Sequence, residues 1–176
     1  MLSELVASGD LPPVDERLPE EPKVVTPRNE VGKYGGEQHG AAFGPSTGQL
    51  DTEAFRMQSL LFIEPDLVTL SPNILKGHDV SDDFTTWTLH LREGMKWSDG
   101  APFTADDFVY WYENMLLNTD LTPAVNVVYR SGEDVMTLTK IDDVTIEVVF
   151  AAPNPNFDLT LSKSYWNDRM FAPAHY

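Results

Sequence analysis

Three pairs of adjacent carboxylates are the residues of this chain best suited to chemistry: Asp82-Asp83, Asp106-Asp107 and Asp142-Asp143. Two carboxyl groups can divide acid and base roles when a cleft separates their pKa values, and a glycosidase would hold such a pair about 5 to 10 Å apart. Each pair, however, stands at a turn or a helix start, where carboxylates cap exposed amides and oppose the helix dipole. Capping is the reading we adopt. His39, His78, His90 and His175 are scattered with no His-x-His or His-Glu-x-x-His spacing, so no local zinc motif is present. His90 falls on the outward face of its strand. Asp79, Asp82 and Asp83 lack the twelve-residue loop and closing glutamate of a calcium hand. Neither a Gly-x-Ser-x-Gly elbow nor a phosphate-cradling glycine loop occurs. No catalytic residue, metal site or cofactor is predicted, and an enzyme is not expected.

The carboxylates belong to elements that the sequence marks clearly. Trp87, Leu89 and Leu91 alternate with Thr88, His90 and Arg92, the period of a strand with one buried face. Glu93-Gly94 supplies a turn, Met95-Lys96-Trp97 reads as a short returning strand, and Ser98-Asp99-Gly100 turns again with Gly100 free to take positive φ. Phe108, Trp111, Tyr112 and Met115 then lie three and four apart, the apolar face of a helix. Thr104 stands before it with Asp107 three positions on, a capping box with Asp in place of Glu. Trp87, Trp97 and Trp111 are assigned to the core.

The same residues resemble the signature segment of the family 5 extracellular solute-binding proteins, receptors of bacterial ABC importers for peptides, oligosaccharides and nickel. The resemblance rests on Trp87, Leu89, Leu91, Arg92, Gly94, Lys96, Trp97, Asp99, Gly100, Pro102, Phe103, Thr104, Ala105, Asp107, Phe108, Val109 and Tyr110, in fixed register. Val31-Gly32-Lys33-Tyr34-Gly35-Gly36 is similar to the family's opening Tyr-Gly-Gly, and Pro153-Asn154-Pro155-Asn156-Phe157 to its Pro-x-Pro-x-Phe. The resemblance implies an α+β (mixed α/β) fold, part of lobe I of a periplasmic-binding-protein-like II architecture. It also implies a non-enzymatic binding module, delivering a peptide or an oligosaccharide to ABC permease subunits from the periplasm or the cell surface. By chain position it places the ligand cleft at Phe43 and Gly44, at Asn126 and Tyr129, and at Ser164, Tyr165 and Trp166. For Phe43, Tyr165 and Trp166, ordinary packing is the competing reading.

Composition agrees with one folded unit. A chain of 176 residues with 41% hydrophobic content can bury about 70% of the surface its unfolded form exposes. Its net charge of −16 argues against nucleic acid and anionic membrane as partners. With no cysteine, disulfides and thiolate metal sites are excluded. No apolar run approaches about 18 residues, so no spanning helix is predicted. No basic stretch followed by an apolar core occurs, and no export leader is expected within these residues. Because family members are far longer, the chain is expected to be a piece of a larger protein. Residues 1–30 would be a proline-rich acidic arm and 31–176 an incomplete first lobe. A severed lobe exposes apolar surface, so self-association is the alternative to solute capture.

In order, residues 1–10 predict a short helix. Pro12, Pro13, Pro19, Pro22 and Pro27 then predict an extended arm wrapping the domain, in preference to a recognition tail. Residues 37–50 read as a strand-to-loop passage, and Thr52–Ile63 as a helix ending before Pro65. Leu67–Leu75 and Gly77–Val80 read as short strands, and 118–130 as an irregular loop. Val135–Ile141 and Val144–Phe150 form a hairpin around Asp142-Asp143. Asp158–Asn167 is expected to be helical.

Overall fold

The alternation around Trp87 settles into a strand, Thr86–Leu91, on which Trp87, Leu89 and Leu91 are buried. In the computed structural model the described residues are 2–27, 29–33, 35–37, 39, 58–163 and 170–176. The helices are α1 (Leu2–Ser8), α2 (Val14–Arg17), α3 (Ala105–Trp111) and α4 (Phe157–Leu161). The strands are β1 (Leu61–Ile63), β2 (Leu70–Pro72), β3 (Leu75–Val80), β4 (Thr86–Leu91), β5 (Arg130–Ser131), β6 (Asp134–Val135), β7 (Thr137–Asp142) and β8 (Thr145–Val149). The fold is mixed α and β.

An antiparallel four-stranded sheet in the order β3-β4-β8-β7 forms the centre. Trp87 pairs with Val148 on one side and Val80 on the other, and Leu89 with Ile146 and His78. Residues directly opposite share a face, so the apolar sets of β4 and β8 face one core. That core continues through Phe103, Phe108, Trp111, Tyr129, Phe150 and Phe157. The predicted hairpin forms as β7–β8 across Asp142-Asp143, with Ile146, Val148 and Phe150 buried. Val135 belongs instead to the small β5–β6 pair, where Gly132 takes φ +61°.

Helix α3 begins as its sequence requires. The Asp107 carboxylate accepts from the Thr104 N–H at 3.0 Å, and Thr104 Oγ1 accepts from the Asp106 N–H at 3.3 Å. Thr104→Ala is expected to destabilise by about 1 kcal/mol, the usual cost of an N-cap. A urea-midpoint shift near zero would contradict that role.

Four expectations need correction. Met95–Trp97 is not a returning strand: both edges of β4 are occupied by β3 and β8, so the segment makes only a single bridge, Lys96 to Pro102. Leu61–Ile63 is strand and not the end of a helix, because it pairs with Leu70–Pro72. The strand expected over Leu67–Leu75 is divided, its first residues forming the turn of that hairpin. Residues 52–57 lie outside the described set. Finally, the chain leaves α3 through a π-turn at Tyr112–Leu116. The wider turn shifts the facing residues by one. Met115, 38% exposed, is carried to the rim, and Leu116 takes its place in the core.

The proline-rich segment runs along the sheet's end. The Glu20 N–H donates to the Glu93 carbonyl at 3.0 Å, Arg92 Nη1 to the Glu21 carbonyl at 2.8 Å, and Lys96 Nζ to the Glu16 carbonyl at 3.0 Å. Lys23 Nζ lies 4.4 Å from the Phe62 ring centroid. Gly94 permits this approach: it takes φ +73°, and a Cβ there would meet Glu20 Cγ at 3.2 Å.

Candidate functional site

Carboxylates come first, since they are the groups capable of acid–base work. Asp83 accepts from the Ser81 hydroxyl and from the Thr85 N–H and hydroxyl, which hold its pKa below the usual carboxylate range. Asp142 is lowered chiefly by the Val144 N–H. Asp106 and Asp143 both lie on Lys140 Nζ, at 2.8 and 2.7 Å, and raise its pKa in that order. At least one member of each pair is thus spent on a turn, a cap or this ion pair. His90 pairs with Asp79 at 2.8 Å on the exposed side of the sheet. His175 pairs with Asp99 at 2.7 Å. The pKa of Asp99 is lowered first by the Ala101 N–H and then by His175. Among the described residues, no group of three potential ligands could hold a metal ion.

Asp107 exceeds its predicted role. It is 2% exposed, and besides Thr104 its carboxylate accepts from Trp97 Nε1 and from the Ala174 N–H, both at 3.0 Å. Its carbonyl accepts from the Ala172 N–H at 3.0 Å. One side chain therefore ties helix α3, the 95–102 turn and the 170–175 segment together. Phe171 completes the joint by packing edge-on to Phe103 at 5.2 Å.

Two recesses among the described residues involve the turn Val127–Tyr129. The first, about 610 Å³, is bounded by Trp97, Trp111, Leu116, Asn126, Tyr129 and Phe171 among others. The Asn126 side chain accepts from the Val128 N–H at 3.2 Å and starts the turn Val127–Tyr129. Tyr129 is 1% exposed and meets Trp111 edge-on at 5.3 Å. Two of the expected cleft residues, Asn126 and Tyr129, are thus brought to one recess, Asn126 exposed at its rim and Tyr129 buried in its wall. Phe43, Gly44, Ser164, Tyr165 and Trp166 lie outside the described residues.

The second recess, about 790 Å³, opens where the 127–132 loop meets the 152–163 segment. Arg130, Ser131, Asn154, Asn156, Thr160 and Lys163 are among its lining residues. Ser131 Oγ donates to the Ala152 carbonyl at 3.4 Å and links the two walls. Sequence reasoning singled out neither Arg130 nor Lys163; a lone cation in a loop carries no periodicity to find it by.

The chain belongs to the bacterial extracellular solute-binding proteins, family 5, whose model matches residues 69–169. The family expected from the Trp87–Tyr110 run is therefore the one found. Among curated relatives, the periplasmic alpha-galactoside-binding protein of Rhizobium meliloti is 35% identical over 169 residues, covering 85% of this chain and 24% of that protein. Among solved structures, an oligopeptide-binding protein OppA matches with TM-score 0.87 and 38% identity, covering 100% of this chain and 27% of that one. MelB of Agrobacterium fabrum, a periplasmic binding protein in complex with stachyose, matches with TM-score 0.73 and 32% identity, covering 98% of this chain and 29% of that one. The chain thus spans about a quarter of the length of the relatives it matches.

Proposed function

We propose that the intact protein is the substrate-binding component of an ABC importer. It captures a peptide or an oligosaccharide outside the cytoplasmic membrane, in the periplasm or at the cell surface, and delivers it to permease subunits. Residues 31–176 are then the early part of the first lobe, and residues 1–30 an arm laid along it. The observation that carries this reading is likeness along the chain to receptors named for two different solutes. A framework shared by such different ligands is scaffold, and the solute is chosen by the loops around it. The carboxylates support a role without catalysis, because their lone pairs are spent on caps, turns and Lys140. Solute would be held between two lobes, with closure favoured by contacts made only in the closed state.

Calorimetric titration of the full-length protein with stachyose and with short alanine peptides tests the reading. Saturable capture of one of them is expected, with weak or no capture by residues 1–176 alone. Failure of the full-length protein to bind either solute would overturn it.

A further inference from the structure

We propose that the recess between the 127–132 loop and the 152–163 segment is an anion subsite that takes a carboxylate of the solute. Of the two solute classes above, a peptide with a free C-terminus therefore fits this chain better than a neutral sugar. The inference rests on the receptor reading.

Charge is the first observation. The chain carries 28 acidic residues against 12 Lys and Arg, and yet among the described residues the lining of this recess includes Arg130 and Lys163 and no carboxylate. A protein of such negative charge repels anions at long range, and a local cationic concavity is the feature that reverses this field for one group.

Hydrogen bonding is the second. Arg130 Nη1 donates to the Gly132 carbonyl at 3.1 Å, which holds the guanidinium against its own turn. The Nε–H is buried and has no acceptor among the described residues. A buried donor without an acceptor bears its desolvation cost uncompensated. Arginine presents its donors as a planar fork that matches the two oxygens of a carboxylate, and a modest turn of the partly exposed side chain would offer that fork to the recess. Lys163 adds a mobile point charge, and Asn154 and Asn156 line the same recess with amide donors. The Ser131 link to Ala152 keeps the walls together.

Location is the third. The recess is walled by the turn Val127–Tyr129 with the Arg130–Gly132 stretch on one side and by α4 with Lys163 on the other, so both cations come from elements that face each other across it.

The test uses the full-length receptor, with tri- to penta-alanine, the same peptides as C-terminal amides, and stachyose. The free-acid peptides are expected to bind at least tenfold more tightly than their amides, with an affinity that falls as salt is raised. Arg130→Gln should close most of that gap, and Lys163→Gln, at an exposed position, should close part of it with an unchanged melting temperature. Equal affinity for acid and amide, or capture of stachyose with no response to any peptide, overturns the subsite and leaves the receptor reading standing. A lower melting temperature in Arg130→Gln with the gap intact makes Arg130 a structural brace of its own turn and also overturns the subsite. Capture of none of the three probes sinks both.

Discussion

Replacing Asp107 by alanine is expected to lower the stability of the intact receptor by about 3–5 kcal/mol, less than the sum of its separate bonds. The substitution strands three donors at once: the Thr104 N–H, Trp97 Nε1 and the Ala174 N–H, each 3.0 Å from the carboxylate. Each donor left without an acceptor in the interior costs about 1–3 kcal/mol. Asp107→Asn should recover only part of the loss, since its amide nitrogen must face one of those donors. Neighbouring Asp106 is exposed and bonds Lys140, so Asp106→Ala should cost under about 1 kcal/mol. Urea midpoints of the three variants check the order. Equal effects at 106 and 107 would show that burial and the shared bonds are not what matters.

Phe157→Ala should cost about 3–5 kcal/mol, the usual range for removing a buried aromatic ring. Phe157 is 0% exposed and meets Trp87 and Phe150 edge-on, with centroids 5.6 and 4.9 Å away. It fastens α4 to the face of the sheet. The variant should therefore also speed amide exchange over residues 157–163, the wall that carries Lys163. Leu159, on the same helix but 46% exposed, should change stability by no more than about 0.5 kcal/mol when cut to alanine. A Phe157 variant with native midpoints and native exchange would refute the anchoring role.

The centre of the fold was legible because its signals are local. Strand β4 shows its period within six residues, and the Thr104–Asp107 cap sits within four. What escaped depended on distant partners. Leu60-Leu61-Phe62 is a continuous apolar run that serves helix or strand equally well. Leu70–Pro72 and the Leu75 N–H, which donates to the Leu60 carbonyl at 3.0 Å, decide for strand. The 95–97 segment has a strand's composition but finds no free edge on β4. The π-turn that exchanges Met115 for Leu116 has no residue that announces it. The same limit governs the site. Asn126 and Tyr129, which line the first recess, were singled out by position in a family pattern, whereas the recess at Arg130 exists only because segments about twenty residues apart or more close on each other.

The way the arm is gripped bears on how freely it can change. Arg92 and Lys96 hold main-chain oxygens at Glu21 and Glu16, and the Glu20 amide is bound by the carbonyl of Glu93. Such contacts are blind to side-chain identity, unlike the pairing of Glu21 with Lys76 and the stacking of Lys23 over Phe62. Beyond α2 the arm turns extended at Leu18, and the prolines at 19, 22 and 27 favour that path. Its composition can consequently drift widely, in charge as in size, while its path over the domain stays the same.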